Sequence, residues 1–295
     1  MIGYHLFRAM RPRQWTKNFL VFVAVIFAKK LGDTHLVFLA ALAFIAFCAL
    51  ASATYLLNDL LDLERDRQHP TKRFRPLTSG DLSPRTATIA SLVLTLVAYG
   101  LGAYVGFWFA FTLAVYHVLT MGYSYWLKNI VILDVFAVAT MFVIRAIAGA
   151  AAVSVEISPW LVVCTTFLAL FLAINKRRNE LLVLEQEATG HRATLGEYSP
   201  HLLDQMSTTV TAATVISYAL YTLDPTTVSK MGTPYMYLTI PFVLFGLFRY
   251  MYLSYQREAG GAPERVLLTD RPLLVAVLLW ALTVVAVVYH ATLLE

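Results

Sequence analysis

Long apolar runs alternate with short charged segments along the whole chain. Uncharged stretches at residues 36–57, 157–175, 205–223 and 272–294 can each cross a bilayer, since a membrane-spanning helix needs about 20 predominantly apolar residues. The full pattern predicts nine helices, at residues 13–31, 36–57, 86–104, 107–127, 130–153, 157–175, 205–223, 234–252 and 272–294. We therefore expect an all-α integral membrane protein with a single transmembrane domain over residues 1–295.

One uncharged run, residues 86–127, is too long for a single span. Gly100, Gly102 and Gly106 lie in its middle, and glycine favours turns because it adopts backbone angles that other residues avoid. The run therefore predicts two helices joined by a tight turn.

The composition agrees with this pattern. Hydrophobic residues make up 59% of the chain and charged residues 14%, whereas soluble domains carry about a quarter of their residues as Asp, Glu, Lys and Arg. This composition excludes an aqueous globular fold, and it leaves the few charged residues concentrated between the predicted helices.

The distribution of positive charge predicts the orientation in the membrane. With a cytoplasmic N-terminus, 19 of the 23 Lys and Arg residues fall in cytoplasmic segments, three fall on the opposite side and Arg145 lies inside a helix. Cytoplasmic loops are enriched in Lys and Arg. We therefore expect an inner (plasma) membrane protein with its N-terminus inside and its C-terminus outside. Its cytoplasmic polar loops are predicted at residues 58–85, 176–204 and 253–271.

Three oxygen-bearing side chains recur every four residues at the end of the second predicted helix. Asn58, Asp62 and Asp66 therefore share one helical face, where the two carboxylates repel each other unless a cation lies between them. Mg²⁺ commonly binds through one or two carboxylates together with substrate phosphates. The spacing predicts a Mg²⁺ site for a diphosphate substrate, with these three residues as metal ligands and catalytic residues.

Five basic residues lie within or after this motif: Arg65, Arg67, Lys72, Arg73 and Arg75. We expect these side chains to face phosphate oxygens that the metal does not reach. Lys72, Arg73 and Arg75 are expected to spread the charge of the departing diphosphate. The competing interpretation is a solvated loop that follows the positive-inside rule. That rule accounts for Lys and Arg, but not for acidic residues at a spacing of four.

The motif N-x-x-x-D-x-x-x-D at residues 58–66 resembles the first Asp-rich motif of the UbiA superfamily of intramembrane prenyltransferases. Three segments are similar to its decaprenyl-phosphate phosphoribosyltransferase branch: R-P-x-Q-W-x-K-N at residues 11–18, N-D-x-x-D-x-x-x-D-x-x-H-P-x-K-R-x-R-P at residues 58–76 and K-R-R-x-E at residues 176–180. The resemblance implies a helical bundle around a central cavity open to the cytoplasm. It also implies transfer of a 5-phosphoribosyl group from phosphoribosyl diphosphate to a polyprenyl, decaprenyl-like phosphate, on the way to lipid-linked pentose donors for cell-wall arabinan.

The chain departs from the superfamily after the sixth predicted helix, where typical members carry a second Asp-rich motif. Lys176, Arg177, Arg178 and Glu180 occupy this position, so a second metal would be poorly held and an additional phosphate well held. Phosphoribosyl diphosphate carries a 5-phosphate that a prenyl diphosphate lacks, and we expect Lys176 and Arg177 to contact it. Without the resemblance, the positive-inside rule explains this cluster equally well.

The fifth predicted helix contains two charged residues that we include in the substrate site. Asp134 and Arg145 are eleven residues apart, or about 16 Å along a helix, which is too far for them to pair. An Arg near the middle of the membrane is expected to face a polar cavity. Arg145 is therefore a candidate for binding an anionic substrate group, and a structural ion pair is the alternative.

Lys17, Tyr125 and Lys128 are expected to complete the phosphate-binding shell. The superfamily's Y-x-x-x-K spacing is not reproduced, because Lys128 lies three residues after Tyr125 and five after Tyr123. The tyrosine equivalent to that of the superfamily thus stays open between the two.

These features favour an enzyme that acts at one membrane surface, with Mg²⁺ as cofactor and with phosphoribosyl diphosphate and a polyprenyl phosphate lipid as substrates. No nucleic-acid partner is expected, and a homo-oligomer is compatible with the sequence. Prenyl transfer to an aromatic or tetrapyrrole acceptor is the alternative reaction. A transporter for a phosphorylated solute is the alternative class, which the one-sided charge disfavours because transporter sites usually lie near the midplane.

Overall fold

The computed structural model describes residues 2–68, 72–186, 196–257, 261 and 263–293, and this part of the chain folds into helices joined by turns. Parts of the three predicted cytoplasmic loops, residues 69–71, 187–195, 258–260 and 262, lie outside the described residues, as do residues 294–295 at the C-terminus.

The described residues contain thirteen α-helices: α1 Ile2–Ala9, α2 Val23–Phe27, α3 Thr34–Leu61, α4 Leu63–Arg67, α5 Pro84–Val105, α6 Phe107–Tyr125, α7 Leu133–Ala152, α8 Pro159–Gln186, α9 Pro200–Leu223, α10 Pro225–Met231, α11 Ile240–Gln256, α12 Pro263–Thr269 and α13 Arg271–Leu293. Short 3₁₀ segments lie between them at Pro12–Phe22, Lys72–Phe74, Leu127–Asn129 and Tyr235–Thr239.

Six of these helical segments are long and apolar enough to cross a membrane: Thr34–Leu61, Pro84–Val105, Leu133–Ala152, Pro159–Leu182, Tyr235–Gln256 and Arg271–Tyr289. They lie at six of the nine predicted positions, which confirms a multi-pass membrane protein. Helices α6 and α9 lie at two further predicted positions, residues 107–127 and 205–223.

The first predicted helix, residues 13–31, has a different local structure. Pro12–Phe22 is a 3₁₀ segment, and the short helix α2 follows it. Trp15, Asn18 and Val21 are three residues apart and therefore share one face of a 3₁₀ helix, which has three residues per turn. This face points into the bundle, because Trp15 donates a hydrogen bond to Ser52 and both Asn18 and Val21 are buried.

The turn between α5 and α6 confirms the predicted pair of helices. Gly106 lies between them with a φ of +148°, a conformation that side chains other than glycine rarely adopt. Gly100 and Gly102 lie inside α5 instead, so only one of the three glycines makes the turn.

Helix α8 continues about three turns beyond the predicted end at residue 175, so the prediction of a loop starting at residue 176 is wrong. The segment from Lys176 to Gln186 contains no Gly or Pro and is rich in Lys, Arg, Glu and Leu, which all favour helices. Helix α3 likewise extends to Leu61, which places Asn58 within the helix. Charged residues predicted on loops therefore project from the ends of long helices.

The core of the bundle is centred on α3 and α7, which hold much of its buried surface. Helix α3 packs against α5, and α7 packs between α6 and α8. Small residues permit the close contacts: a Cβ added to Gly149 of α7 would lie 2.1 Å from the carbonyl oxygen of Val21. Small residues at helix interfaces are typical of membrane bundles, because they let backbones approach.

Candidate active site

The α3–α4 junction carries the acidic motif. Asp62 is both the last residue associated with α3 and the N-terminal cap position of α4, where its backbone N–H donates to the carbonyl of Asn58. One turn further, Asp66 is buried with 1% exposure. Helix α3 ends at Leu61 and α4 begins at Leu63, so the three predicted ligands follow one another across a break at Asp62.

Asp66 shares a guanidinium with a second buried acid that the sequence interpretation did not assign. Nη1 of Arg75 donates to Asp66 Oδ2 at 2.5 Å and to Asp59 Oδ1 at 3.0 Å. Arg11 also donates to Asp59, at 2.5 Å. Asp59 is 2% exposed. Its position seven residues before Asp66 is the signal that would have placed both on one helical face.

The donor set at the α3–α4 junction fits a divalent cation. Asp66 Oδ1 is buried without a hydrogen bond, and the ammonium group of Lys72 lies 3.6 Å from it. In the part of the chain that the structure describes, the half-buried Asp62 carboxylate has no hydrogen bond or ion pair. One oxygen without a hydrogen bond and one carboxylate without a described partner match the one or two carboxylates through which Mg²⁺ usually binds. The described residues contain no group of three His, Cys, Asp or Glu side chains preassembled for a metal.

A second charged cluster lies where α7 meets α8. Arg177 Nε donates to Asp134 Oδ2 at 2.5 Å, its Nη2 donates to the Tyr123 hydroxyl at 2.8 Å, and its Nη1 donates to Glu180. Asp134 is fully buried and Arg177 is 3% exposed. Tyr198, just before α9, donates to the other carboxylate oxygen of Asp134 at 2.7 Å. Asp134 and Arg177 thus form a buried, hydrogen-bonded ion pair.

Tyr198 also stabilises an unusual turn before α7. The Ile132 N–H donates to the Tyr198 hydroxyl at 2.7 Å, and Ile132 has a φ of +70°, a strained conformation for a β-branched residue. Burial, together with the hydrogen bond to Asp134, raises the pKa of the Tyr198 hydroxyl to about 12. Nothing in the motif spacing pointed to Tyr198, because its partners are far away in the sequence.

The C-terminal end of α6 connects the two clusters. Asn58 donates to Ser124 at 3.2 Å, and the adjacent residue Tyr123 accepts from Arg177. The structure thus places Tyr123, rather than Tyr125, in the charged network. The Tyr125 side chain is exposed, and its hydroxyl has no hydrogen bond within the described residues.

Arg145 is buried on α7 and bridges three segments. It donates to Asn18 at 2.9 Å, to the Met141 carbonyl at 3.0 Å and to the Tyr116 hydroxyl at 2.7 Å. No carboxylate pairs with it among the described residues. Arg145 does not pair with Asp134, as the spacing predicted, and its acceptors are neutral groups rather than the carboxylate of a structural ion pair.

The remaining predicted site residues have mainly local contacts. Arg73 lies over the ring of Phe74 with its Cζ 4.8 Å from the centroid. Lys176 is partly exposed and 3.9 Å from Glu180. Lys17 donates to Gln14, and Lys128 lies on the 3₁₀ segment between α6 and α7.

Arg178 belongs to a further network that the sequence interpretation did not resolve. It donates to Asp204 at 2.5 Å and lies over the ring of Tyr255, with its Cζ 3.9 Å from the centroid. Asn175, one turn earlier on α8, donates to Ser207 at 2.9 Å. These contacts tie α8 to α9 and α11.

Comparison with known proteins agrees with the motifs. The UbiA prenyltransferase family matches residues 18–269. Proteins named decaprenyl-phosphate phosphoribosyltransferase from Corynebacterium glutamicum and Mycolicibacterium smegmatis are 36% and 32% identical to the chain, over 96% and 97% of it and 86% and 93% of their own lengths. The protein of that name from Mycobacterium tuberculosis is 33% identical, over 95% of this chain and 93% of its own.

Solved structures share the fold. A UbiA homolog from Archaeoglobus fulgidus bound to GPP and Mg²⁺ superposes with a TM-score of 0.71 at 20% identity, covering 96% of this chain and 99% of that one. A digeranylgeranylglyceryl phosphate synthase superposes with a TM-score of 0.67 at 15% identity, covering 97% and 98%. The resemblance inferred from residues 11–18, 58–76 and 176–180 is confirmed, and the protein is a membrane-bound transferase. The chain belongs to the UbiA prenyltransferase family.

Proposed function

We propose that this protein transfers the 5-phosphoribosyl group from phosphoribosyl diphosphate to a polyprenyl, decaprenyl-like phosphate and releases diphosphate. The observation that carries this proposal is the similarity to phosphoribosyltransferases at 32–36% identity over nearly the whole chain. The basic end of α8 supports it, since Lys176, Arg177 and Arg178 stand where a second pair of carboxylates would serve a prenyl diphosphate.

In this proposal the α3–α4 junction binds the diphosphate end of the donor. Asp62 and Asp66 would hold Mg²⁺, with Asn58 orienting the shell. When bound, Mg²⁺ neutralises charge on the leaving diphosphate. Lys72 and Arg75 contact Asp66, and Arg73 lies between them in the sequence. These basic side chains would stabilise the remaining negative charge of the diphosphate.

The chemical step is a substitution at the anomeric carbon of the ribose. The bond from this carbon to the diphosphate oxygen breaks, and a bond to an oxygen of the lipid phosphate forms on the opposite face. The lipid phosphate is already anionic at neutral pH, so it needs no general base. A site built from carboxylates, arginines and lysines is therefore sufficient.

Residues across the bundle from the metal ligands would position the rest of the donor. Lys176 is the exposed cation of the α8 cluster, whereas Arg177 is held by Asp134, Glu180 and Tyr123. In this proposal Lys176 contacts a substrate phosphate, and Arg177 stabilises the end of α8. Lys17, Lys128 and Arg145 complete the assignment as cations around a central cavity.

The membrane arrangement is part of the same proposal. Nine crossings, a cytoplasmic N-terminus and site, and an external C-terminus agree with 19 of 23 basic residues on one side. An inner-membrane enzyme of this orientation meets a soluble donor from the cytoplasm and a lipid acceptor from the bilayer, as an early step towards cell-wall arabinan requires.

The test compares two donors, each incubated with the purified protein in detergent and Mg²⁺. Phosphoribosyl diphosphate labelled in the ribose and unlabelled polyprenyl phosphate should give labelled lipid. A labelled prenyl diphosphate with an aromatic acceptor should give none. Consumption of the prenyl diphosphate with no labelled lipid from the ribosyl donor would contradict the proposal.

A further inference from the structure

A cavity of about 180 Å³ lies beside the acidic motif, between the N-terminal helix α1 and the segment that follows α4. Its charged lining consists of Arg8, Arg11, Arg75 and Asp59, and Phe74 forms part of its wall. Arg75 separates this cavity from the proposed metal ligands, because the same Nη1 atom contacts Asp59 at 3.0 Å and Asp66 at 2.5 Å.

The cavity carries excess positive charge. Asp59 is the one carboxylate in its lining, and it accepts hydrogen bonds from both Arg11 and Arg75. The Arg8 guanidinium is exposed and has no ion pair or hydrogen bond within the described part of the chain. Three guanidinium groups face two carboxylates, because Arg75 also pairs with Asp66 behind the cavity wall. The formal charge of about +1 that remains favours a phosphate monoester, which carries about −1.5 to −2 at pH 7.

The basic cluster on α8 has no such excess. Lys176 and Arg177 face two carboxylates, Glu180 and Asp134. A phosphate placed there must compete with carboxylates that already hold the cations, whereas the α1 cavity offers Arg8 without competition from a described acid. Arginine also suits a phosphate geometrically, because its planar fork can donate two parallel hydrogen bonds.

We propose that the cavity lined by Arg8, Arg11 and Arg75 is a subsite for a phosphate monoester. This inference rests on the proposed function, which supplies two such groups: the 5-phosphate of the ribosyl donor and the phosphate of the lipid acceptor. Either one bound here lies next to the diphosphate site, with Arg75 shared between the two.

The test measures binding to the full-length protein in detergent with EDTA present, so that no metal contributes. Ribose 5-phosphate and decaprenyl phosphate are titrated separately, with ribose and decaprenol as phosphate-free controls. Arg8→Ala should weaken the binding of one of the two phosphates by about tenfold, the effect expected for losing one charge-assisted contact at a partly open site. The compound whose binding is weakened shows whether the donor or the lipid supplies the phosphate that binds in the cavity.

Arg85→Ala is the matched control, because Arg85 is also an exposed cytoplasmic-end arginine without a partner among the described residues. Neither substitution should affect folding, since both side chains are exposed. Unchanged binding of both phosphates to Arg8→Ala, or an equal loss with Arg85→Ala, would overturn the subsite.

Turnover by the wild type separates this inference from the proposed function. If the wild type forms labelled lipid but Arg8→Ala binds both phosphates normally, the subsite is wrong and the function stands. If Arg8→Ala selectively loses phosphate binding while the wild type forms no labelled lipid, the subsite stands and the proposed reaction is wrong.

Discussion

The ends of α3 and α8 both carry dense charge, but the two regions use it in opposite ways. At the α3–α4 junction, Asp66 retains an oxygen without a hydrogen bond and Asp62 has no described partner. At the α7–α8 contact, Asp134 and Arg177 are buried and fully engaged. Charge with unused bonding capacity is available to a ligand, whereas charge that is already paired maintains the shape of the bundle.

The largest effect is expected from breaking the buried ion pair at the α7–α8 contact. Arg177→Ala leaves Asp134 buried without its cation, which typically costs about 3–5 kcal/mol. The variant should lose much of its thermal stability in detergent, and Asp134→Asn in the same chain should restore part of it. Lys176→Ala, one residue away, is the matched control and should change stability by less than about 0.5 kcal/mol. Equal melting temperatures for the two single variants would show that the pair is not structural.

At the α3–α4 junction, Asp62→Asn should reduce turnover by about 100-fold or more while leaving stability intact, because a lost metal ligand affects the transition state more than the fold. Glu64→Gln is the control: its side chain is 80% exposed and pairs only with Arg67 in the described structure. It should change turnover by less than about twofold, because exposed ion pairs contribute little. If Asp62→Asn is about as active as the control, or if the wild type keeps its activity in EDTA, the assignment of a metal site to the α3–α4 junction is wrong.

Tyr198→Phe should destabilise the α7–α8 contact by about 2 kcal/mol, because it removes a hydrogen bond to the Asp134 carboxylate and leaves the Ile132 N–H without its acceptor. The effect should depend on pH. The folded-state pKa of Tyr198 is raised to about 12 from an ordinary value of 10.0, so its stabilising contribution is complete below pH 10 and declines as the pH rises towards 12. Wild type should therefore lose more stability than Tyr198→Phe over that interval, as melting curves at several pH values would show. Parallel curves would refute the role of the hydroxyl.

The smallest effect is expected at the exposed cation of α8. Lys176→Ala should raise the KM for phosphoribosyl diphosphate by about tenfold, the lower limit for losing a charged contact to phosphate, and should leave the KM for the lipid unchanged. Lys230→Ala, a partly exposed lysine on the predicted opposite face, should change neither. If only the KM for the lipid changes, Lys176 contacts the acceptor rather than the donor.

The long helices and the acidic motif were predictable from sequence because both follow local periodicities. Apolar runs of about 20 residues define the spans, and Asn58, Asp62 and Asp66 follow the spacing of a helix. The end of α8 was less predictable, since charged residues after an apolar span indicate the membrane surface but do not distinguish a loop from a continuing helix. The helix-favouring residues from Lys176 to Gln186 and the contact of Arg177 with Asp134 of another helix both stabilise the extension.

Two contacts of the site could not be predicted from residue spacing. Arg11 and Asp59 are 48 residues apart and Tyr198 is 64 residues from Asp134, so neither contact follows from periodicity. Asp59 was nevertheless visible in the sequence beside Asn58. A search for a second acid seven residues before Asp66 would have included it.

The most direct test of the central claim is the fate of two labels on one donor. Phosphoribosyl diphosphate carrying one radiolabel in its 5-phosphate and another in its diphosphate is incubated with the protein, Mg²⁺ and polyprenyl phosphate, and the products are partitioned between organic and aqueous phases. We predict that the 5-phosphate label enters the lipid phase and the diphosphate label leaves as free diphosphate, in equal amounts. Retention of both labels in the aqueous phase by an active preparation that consumes a prenyl diphosphate would contradict phosphoribosyl transfer.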